Sequence, residues 1–121
     1  MAYSTGGGSG IGRAVCRLFA KEGACVAVVG NSEEEVIATT QILHDASKID
    51  GATYKGYRTD VTSAAQVAAL MDAVKADFAG GPSLSVLVNS AGITRDSLLL
   101  KQTEEEFDSV LALNLKVSIN A

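Results

Sequence analysis

The sequence predicts an α/β fold in which helices cover both faces of a parallel β-sheet. Two observations predict it. Short apolar runs typical of buried strands alternate with amphipathic segments, and capping boxes or glycine stops separate most of them. Strict alternation favours a parallel sheet, because each crossover helix returns the chain to the same end of the sheet. No repeat or linker divides the 121 residues, which suffice for one domain.

Two helices and a strand account for the first part of the chain. Apolar residues recur at helical spacing over residues 11–19, and residues 21–23, Lys-Glu-Gly, end this helix with a basic turn and a glycine. Residues 25–29 are apolar throughout, which predicts a strand buried on both faces. Ser32 and Glu35 predict a capping box for the second helix. The apolar positions of that helix are Val36, Thr40 and Leu43.

The middle of the chain repeats this alternation. A turn at residues 50–51, Asp-Gly, precedes a weak strand over residues 53–61. Ser63 and Gln66 predict a second capping box, and the helix behind it stops at two glycines. Residues 84–88 then predict another buried strand. The apolar positions of the third helix are Val67, Leu70, Met71, Val74 and Phe78.

The two ends of the chain are less regular. Thr103 and Glu106 predict a capping box for a last helix. Its apolar face carries Phe107, Val110, Leu111 and Leu115. At the other end, only residues 1–4 precede a glycine-rich loop. We therefore predict that the first strand is truncated.

Composition excludes several classes of protein. The chain is 47% hydrophobic and 20% charged, which is typical of globular proteins. Its net charge of −4 argues against nucleic acid or an anionic membrane as the main partner, and no apolar run reaches the roughly 18 residues of a membrane helix. Cys16 and Cys25 form no metal-binding spacing with His44. We predict no metal site and two reduced, buried cysteines of an intracellular protein.

The glycine-rich stretch over residues 4–15 opens the first helix. It matches T-G-x-x-x-G-x-G, with Thr5, Gly6, Gly10 and Gly12 at the fixed positions. It is not a Walker A loop, because Arg13 and Ala14 stand where Lys and Ser or Thr are required. Glycines let a backbone approach a pyrophosphate, and a helix N-terminus supplies free N–H groups. The stretch predicts a phosphate cradle, with a flexible connector as the alternative.

Three further features fall where ligands of open parallel sheets bind. Residues 89–92, N-S-A-G, directly follow a strand, although an ordinary turn explains them equally well. Asp60 could accept a hydrogen bond from an adenine amino group, but the residues alone favour a role at the helix N-cap. Asn114 lies on the apolar face of its helix, so backbone or an active site must satisfy its amide.

Together these motifs resemble those of the short-chain dehydrogenase/reductase family, over residues 5–116. TGGGSGIG resembles its cofactor loop, Asp60-Val61 its adenine-site pair, NSAG its NNAG motif and Asn114 its catalytic asparagine. Residues 82–116 resemble the 3-oxoacyl-ACP reductase branch. The resemblance implies a Rossmann-type doubly wound sheet with strand order 3-2-1-4. Residues 1–121 would form the N-terminal half of such an NAD(P)-binding domain.

The resemblance also implies hydride transfer between a nicotinamide and a carbonyl or alcohol. The implied substrates are a 3-oxoacyl or 3-hydroxyacyl thioester, or the 17-position of a steroid. Asn114 is the one implied catalytic residue in this chain. The implied cofactor-binding residues are Gly6, Gly7, Gly8, Ser9, Gly10, Ile11, Gly12, Asn31, Asp60, Val61, Asn89, Ala91 and Gly92.

The family's proton-transfer residues, a serine and Y-x-x-x-K, have no counterpart here. Tyr3, Tyr54 and Tyr57 are followed four places on by Gly7, Arg58 and Val61. Because acid–base catalysis contributes about 10²–10⁴-fold, we expect a cofactor-binding half without reductase activity. The tail after residue 116 departs from the family, which suggests a truncated or alternatively spliced product. The alternative is an interaction or regulatory fragment that pairs with full-length family members through an open strand edge.

The choice between NAD and NADP stays open. NAD-preferring members of the family carry an acid after the second strand, and NADP-preferring members carry a base there or in the glycine loop. Gly30, Asn31 and Ser9 occupy these positions, so neither signature is present. The resemblance within the branch leans towards NAD and implies the mitochondrial matrix. The cytoplasm is the alternative, because no transit peptide is visible.

Overall fold

Four parallel strands and three helices make up the part of the chain that the computed structural model describes, namely residues 2–5, 7–8, 10–47, 51–81, 84–90 and 104–105. The elements are β1 (Ala2–Thr5), α1 (Gly10–Lys21), β2 (Val26–Gly30), α2 (Glu33–Ala46), β3 (Tyr54–Arg58), α3 (Ala64–Asp77) and β4 (Val86–Asn89). The strands lie in the order β3-β2-β1-β4. This confirms the predicted order. Of the predicted last helix, Glu104 and Glu105 are helical, and Asn114 lies outside the described residues.

The first strand forms and lies inside the sheet. Its four residues pair in parallel with Val26–Val29 of β2 on one side and with all of β4 on the other. β1 is short, as predicted, but β4 also has four residues and β2 has five. Because its neighbours are about as short, every residue of β1 pairs with a residue of β2 and a residue of β4. The glycine loop therefore follows a paired strand.

Two buried clusters cover the two faces of β2. On one face, α1 and α2 pack against Val26 and Val28, and Leu43 of α2 is fully buried there. On the other face, α3 packs against Ala27 and Val29 through Leu70, Val74 and Phe78. The predicted strand buried on both faces is confirmed for β2. Helices on both faces of one sheet give the predicted doubly wound architecture.

Small residues form the buried stripe of α1. Gly12, Cys16 and Ala20 are its buried residues, spaced one turn apart. The apolar positions that mark this helix in the sequence are more exposed, with Ile11 at 79% and Leu18 at 62%. Small side chains let a helix approach its neighbours closely, so the contact face follows residue size here and not hydrophobicity alone. Cys16 is buried as predicted, whereas Cys25 is half-buried, and neither cysteine forms a disulfide.

Serine caps begin α2 and α3. Ser32 Oγ accepts a hydrogen bond from the Glu35 backbone N–H at 3.4 Å, and Ser63 Oγ accepts one from the Gln66 N–H at 3.3 Å. Both predicted N-caps are confirmed. The second capping box differs in its other half, because Gln66 Oε1 accepts from the Asp60 N–H at 2.9 Å. The Gln66 side chain thus fixes the turn that leads from β3 into α3.

The prediction that residues 84–88 form a buried strand is wrong about burial. β4 begins two residues later than predicted, and Leu84, Val86 and Leu87 are 38–40% exposed. In the part of the chain that the structure describes, β1 is the one strand that pairs with β4. The same kind of apolar run is therefore buried in β2 and exposed in β4. In the described residues, no helix is long and apolar enough to cross a membrane.

Candidate functional site

The carboxyl ends of the four strands meet at one edge of the sheet, called here the carboxyl edge. Thr5, the last residue of β1, pairs with Val29 in β2 and with Asn89, the last residue of β4. Gly30 of β2 pairs with Arg58, the last residue of β3. Parallel pairing therefore brings the segments after all four strands to the same side, where open α/β sheets bind their ligands. These segments and the last residue of β4, Asn89, hold every described residue of the predicted cofactor site.

The glycine loop runs from β1 into the N-terminus of α1. Gly7 and Gly8 are buried, and the Gly7 N–H donates to the Val29 carbonyl at 3.0 Å. Gly10 begins α1 with a φ of 55°, a conformation that disfavours residues with a Cβ. The first turn of α1 carries no acidic residue. Its free N–H groups and partial positive charge can therefore act on an anion. Gly6 and Ser9 lie outside the described residues.

Close packing against α2 explains why residue 8 lacks a side chain. A Cβ on Gly8 would lie 3.0 Å from the Glu35 Cβ and 3.4 Å from its Oε2. A Cβ on Gly30 would lie 3.0 Å from Cγ2 of Val36 and 3.7 Å from the Gly8 nitrogen. The loop, the end of β2 and the first turn of α2 therefore converge at Gly8. A side chain at either glycine would push α2 away from the loop.

Two side chains hold the carbonyl oxygen of Gly8. Arg13 Nη2 donates to it at 2.6 Å and Thr39 Oγ1 donates to it at 3.1 Å. Arg13 Nε donates in turn to Thr39 Oγ1 at 2.8 Å, which closes a ring of three hydrogen bonds. This ring is not among the features predicted from the sequence. Thr39 is a hydroxyl residue three positions after Val36 and four before Leu43, on the buried face of α2, and that position was the available signal.

Asn31 and the start of α2 follow β2 at the carboxyl edge. Asn31 is exposed, and the first turn of α2 carries Glu33, Glu34 and Glu35. These three acids interact favourably with the helix dipole, because they lie at its positive end. They also make the surface beside Gly30 negative. The N-termini of α1 and α2 at this edge therefore differ, since the first turn of α1 has no acid and that of α2 has three.

Asp60 and Val61 lie in the turn between β3 and α3. Asp60 is exposed, and its Oδ1 accepts from the Thr62 N–H at 3.0 Å and from the Thr62 hydroxyl at 2.6 Å. Ser63, and not Asp60, is the N-cap of α3. Asp60 is therefore not the cap of α3. Its carboxylate instead stabilises a local turn. The Val61 side chain is buried against α3 and contributes to the core.

Asn89 ends β4 and is exposed beside the end of β1. Ala91, Gly92 and Asn114 lie outside the described residues. Ile11, in the first turn of α1, is exposed beside the glycine loop. The described residues place no group of three or more His, Cys, Asp or Glu side chains together as metal ligands.

Tyr54 and Tyr57 have structural roles in β3. The buried Tyr54 donates from its hydroxyl to Ser47 Oγ at 2.7 Å. The Tyr57 hydroxyl donates to Asp77 Oδ2 at 2.7 Å, and burial together with this carboxylate raises the pKa of Tyr57 well above its ordinary value. A tyrosine with a raised pKa exchanges its proton poorly near neutral pH. Tyr57 is therefore poorly suited to proton transfer, and the buried Tyr54 hydroxyl bonds to Ser47.

Comparison with known families and proteins gives matches along the whole chain. The model of the short chain dehydrogenase family matches residues 1–121. The (3R)-3-hydroxyacyl-CoA dehydrogenase of Canis lupus familiaris is 40% identical over 119 residues, which cover 96% of this chain and 45% of that protein. The 3-oxoacyl-[acyl-carrier-protein] reductase FabG of Escherichia coli strain K12 is 35% identical over 115 residues, with coverages of 95% and 43%. The chain spans less than half the length of these curated relatives.

Solved structures also match the fold of this chain. A levodione reductase superimposes with a TM-score of 0.88 at 31% identity, over 98% of this chain and 45% of that one. An NAD+-bound xylitol dehydrogenase also gives a TM-score of 0.88, at 25% identity, over 98% of this chain and 44% of that one. These likenesses confirm the predicted Rossmann-type fold.

Proposed function

The chain belongs to the short-chain dehydrogenase/reductase family, and from this premise we propose that its 121 residues form the dinucleotide-binding part of an NAD(P)-dependent oxidoreductase. The observation that carries the proposal is the carboxyl edge. There the glycine loop, the end of β2, the turn after β3 and Asn89 lie along one line of strand ends. A dinucleotide bound along such an edge contacts several loops at once.

The glycine loop fits a pyrophosphate. Gly7 and Gly8 are buried without side chains, and Gly10 begins α1 with a φ of 55°. The acid-free N-terminus of α1 offers N–H groups to the two phosphates. We assign pyrophosphate binding to residues 6–12 and the ribose and adenine contacts to Asn31, Asp60 and Val61. Asn89, Ala91 and Gly92 would contact the cofactor beyond β4.

The acidic first turn of α2 favours NAD over NADP. Glu33, Glu34 and Glu35 follow Asn31 directly, and the 2′-phosphate of NADP would add negative charge beside them. Arg58 pairs with Gly30 in the sheet, but it lines the same groove as Glu33, which offsets its charge. We therefore expect tighter binding of NADH than of NADPH. The difference should shrink at high salt, because these side chains are exposed.

The relatives support a proposal for the substrate class. The similar proteins include a (3R)-3-hydroxyacyl-CoA dehydrogenase and a 3-oxoacyl-[acyl-carrier-protein] reductase. We propose a 3-oxoacyl or 3-hydroxyacyl thioester as substrate of the whole catalytic unit, with a 17-hydroxysteroid as the alternative. The nicotinamide would supply or accept the hydride, and Asn114 is the catalytic residue we assign to this chain. A mitochondrial location is part of the same proposal.

We expect these 121 residues to lack reductase activity on their own. They contain no Y-x-x-x-K, and Tyr54 and Tyr57 are held by Ser47 and Asp77. Without a positioned acid, the carbonyl oxygen has no proton donor as the hydride arrives. An assay with NADH and acetoacetyl-CoA should show no oxidation above the rate in buffer. A rate near that of a full-length relative would contradict this.

Titration of the chain with NADH tests the dinucleotide site. The chain contains no Trp, so calorimetry or the fluorescence of NADH itself reports binding. We expect saturable binding with a dissociation constant below about 1 mM. Gly8→Val should weaken binding by at least about 10-fold, because its β-carbon displaces Glu35 and the loop with it. Absence of saturable NADH binding to the folded wild-type chain would refute the proposed function.

Gly51→Asn is the matched control for Gly8→Val. Gly51 has a φ of 89°, a left-handed conformation that Asn tolerates, and it lies in the turn before β3 with open space around it. This variant should bind NADH like the wild type. Circular dichroism at the titration temperature verifies that both variants are folded.

A second candidate function is an interaction module without catalysis. It rests on the exposed apolar surface formed by Leu84, Val86 and Leu87 at β4. We propose that this surface pairs with a full-length family member through the edge of β4. Co-purification with such a protein, lost in Leu87→Lys and kept in Leu18→Lys on α1, would support it. A monomer at every concentration, alone and with a full-length relative, would count against it.

A further inference from the structure

The ring of hydrogen bonds around the Gly8 carbonyl connects three elements. The acceptor lies in the glycine loop, Arg13 lies in α1 and Thr39 lies in α2. Thr39 is fully buried, and it is one of two buried polar residues among the described residues. The Thr39 hydroxyl donates its one proton to Gly8 in the loop and accepts from Arg13 in α1, so it links the loop to both helices.

We propose that Thr39 and Arg13 are positioning residues that orient the glycine loop for the pyrophosphate, an inference that rests on the proposed dinucleotide site. Donors from two helices hold the Gly8 carbonyl, Arg13 from α1 and Thr39 from α2. Peptide units are planar, so a fixed carbonyl fixes the orientation of the loop backbone at Gly8. The loop therefore keeps one orientation relative to α1, whose acid-free first turn would face the pyrophosphate.

Charge strengthens this effect. The bond from Arg13 Nη2 to the Gly8 carbonyl has a cationic donor and a length of 2.6 Å. Charge-assisted bonds of this kind are about twice as strong as neutral ones. The ring thus holds the Gly8 carbonyl with one charged and one neutral donor.

The ring also explains the choice of residues. A valine at position 39 would match the shape of threonine but would leave Arg13 Nε without its acceptor and Gly8 with one donor. A lysine at position 13 would keep the charge but could not hold the Gly8 carbonyl and the Thr39 hydroxyl in one rigid fork. Serine at position 39 keeps the hydroxyl. Thr39→Val and Thr39→Ser therefore form a matched pair.

Binding of ADP-ribose and adenosine to the full chain tests the proposal, because ADP-ribose contains the pyrophosphate and adenosine lacks it. Thr39→Val should bind ADP-ribose about 10-fold more weakly, the value of one lost hydrogen bond, and adenosine as the wild type does. Arg13→Lys should show the same selectivity. Thr39→Ser should bind ADP-ribose within about threefold of the wild type. All titrations are run below the thermal transition of each variant.

Hydrogen exchange of the glycine loop gives a second measurement without any ligand. The Gly7 N–H bonds to the Val29 carbonyl, and its exchange should be faster in Thr39→Val than in Thr39→Ser. Wild-type affinity and wild-type exchange in folded Thr39→Val would overturn the proposal. Equal weakening of ADP-ribose and adenosine would also overturn it, since that pattern indicates general damage. If the wild type bound neither ligand, the dinucleotide site would be refuted, and loop exchange would still decide whether the ring orients the loop.

Discussion

β2 and β4 have similar sequences and opposite environments. β2 is V-A-V-V-G and β4 is V-L-V-N. The first four residues of β2 are fully buried, whereas Val86 and Leu87 of β4 are 38% and 40% exposed. Both strands pair with β1, and both carry apolar side chains on both faces. The difference therefore does not come from the strands themselves.

Neighbouring elements make the difference. β2 lies between β1 and β3, with α1 and α2 on one face and α3 on the other. In the described part of the chain, β4 has β1 beside it and no second strand. Burial is thus a property of the position in the sheet, and a periodicity argument on a single strand cannot supply it.

The candidate site spans both regions. The glycine loop, Asn31 and Asp60 follow β1, β2 and β3, of which β2 is buried on both faces, and Asn89 lies at the end of β4. Rigid packing favours binding, because groups that are already positioned lose less entropy when a ligand arrives. The pyrophosphate and adenosine ends of the site therefore have a firmer support than the β4 end.

The largest expected difference is between two leucine truncations. Leu43 is fully buried between α2 and β2, so Leu43→Ala should lower the free energy of unfolding by about 3 kcal/mol. Leu87→Ala in β4 should cost less than about 1 kcal/mol, because its side chain is already partly in water. Urea denaturation followed by circular dichroism measures both. Equal costs would show that β4 is covered in solution as well as β2 is.

The helix caps provide the next largest effect and test whether the two faces of β2 unfold together. Ser32→Ala and Ser63→Ala each remove a cap and should each cost about 1 kcal/mol. Ser63→Asp should restore most of this loss, because aspartate also accepts at the N-cap. A single shifted transition in both variants indicates one cooperative unit. Separate transitions for α2 and α3 would show that the covered region is divided.

The smallest effect is the pH dependence of the contact between β3 and α3. Tyr57 donates to Asp77, which also lies 3.5 Å from Lys55 Nζ. Burial and Asp77 raise the pKa of Tyr57 in the folded chain, so its contribution is full below about pH 10 and is lost above it. The Tyr57 hydroxyl and Lys55 lower the pKa of Asp77, whose contribution is lost as the pH falls below about 4.

Thermal unfolding across pH measures this contact. The wild type should lose stability between about pH 10 and pH 11, and Tyr57→Phe should show a flatter alkaline profile. The acid side should change less, because Asp77 is exposed. The same alkaline slope in both proteins would show that Tyr57 does not carry the effect.

Much of the carboxyl edge could be predicted from the sequence. Alternation of strands and helices indicates a parallel sheet, and parallel strands end on one side, so the segments after them must meet. The N-caps Ser32 and Ser63 were also readable, because a cap depends on four consecutive residues. Interactions that are local in sequence, or that repeat with a fixed period, are visible before folding.

Contacts between elements could not be predicted from the sequence in the same way. The ring of Arg13, Thr39 and the Gly8 carbonyl joins residues up to 31 positions apart. The buried stripe of α1 consists of small residues, because its distance to the sheet sets the size limit. The bond between Tyr57 and Asp77 depends on how α3 lies against β3.

Sequence alone is enough to predict the order of elements, the parallel sheet, the caps and the position of the glycine loop before α1. These features follow from local chemistry and from the repeat of apolar residues. The tertiary structure decided that β1 is paired on both sides, that β2 is buried while β4 is exposed, and that Thr39 and Arg13 hold the loop. Burial and long-range hydrogen bonds depend on what packs against a residue, and that is fixed only when the elements assemble.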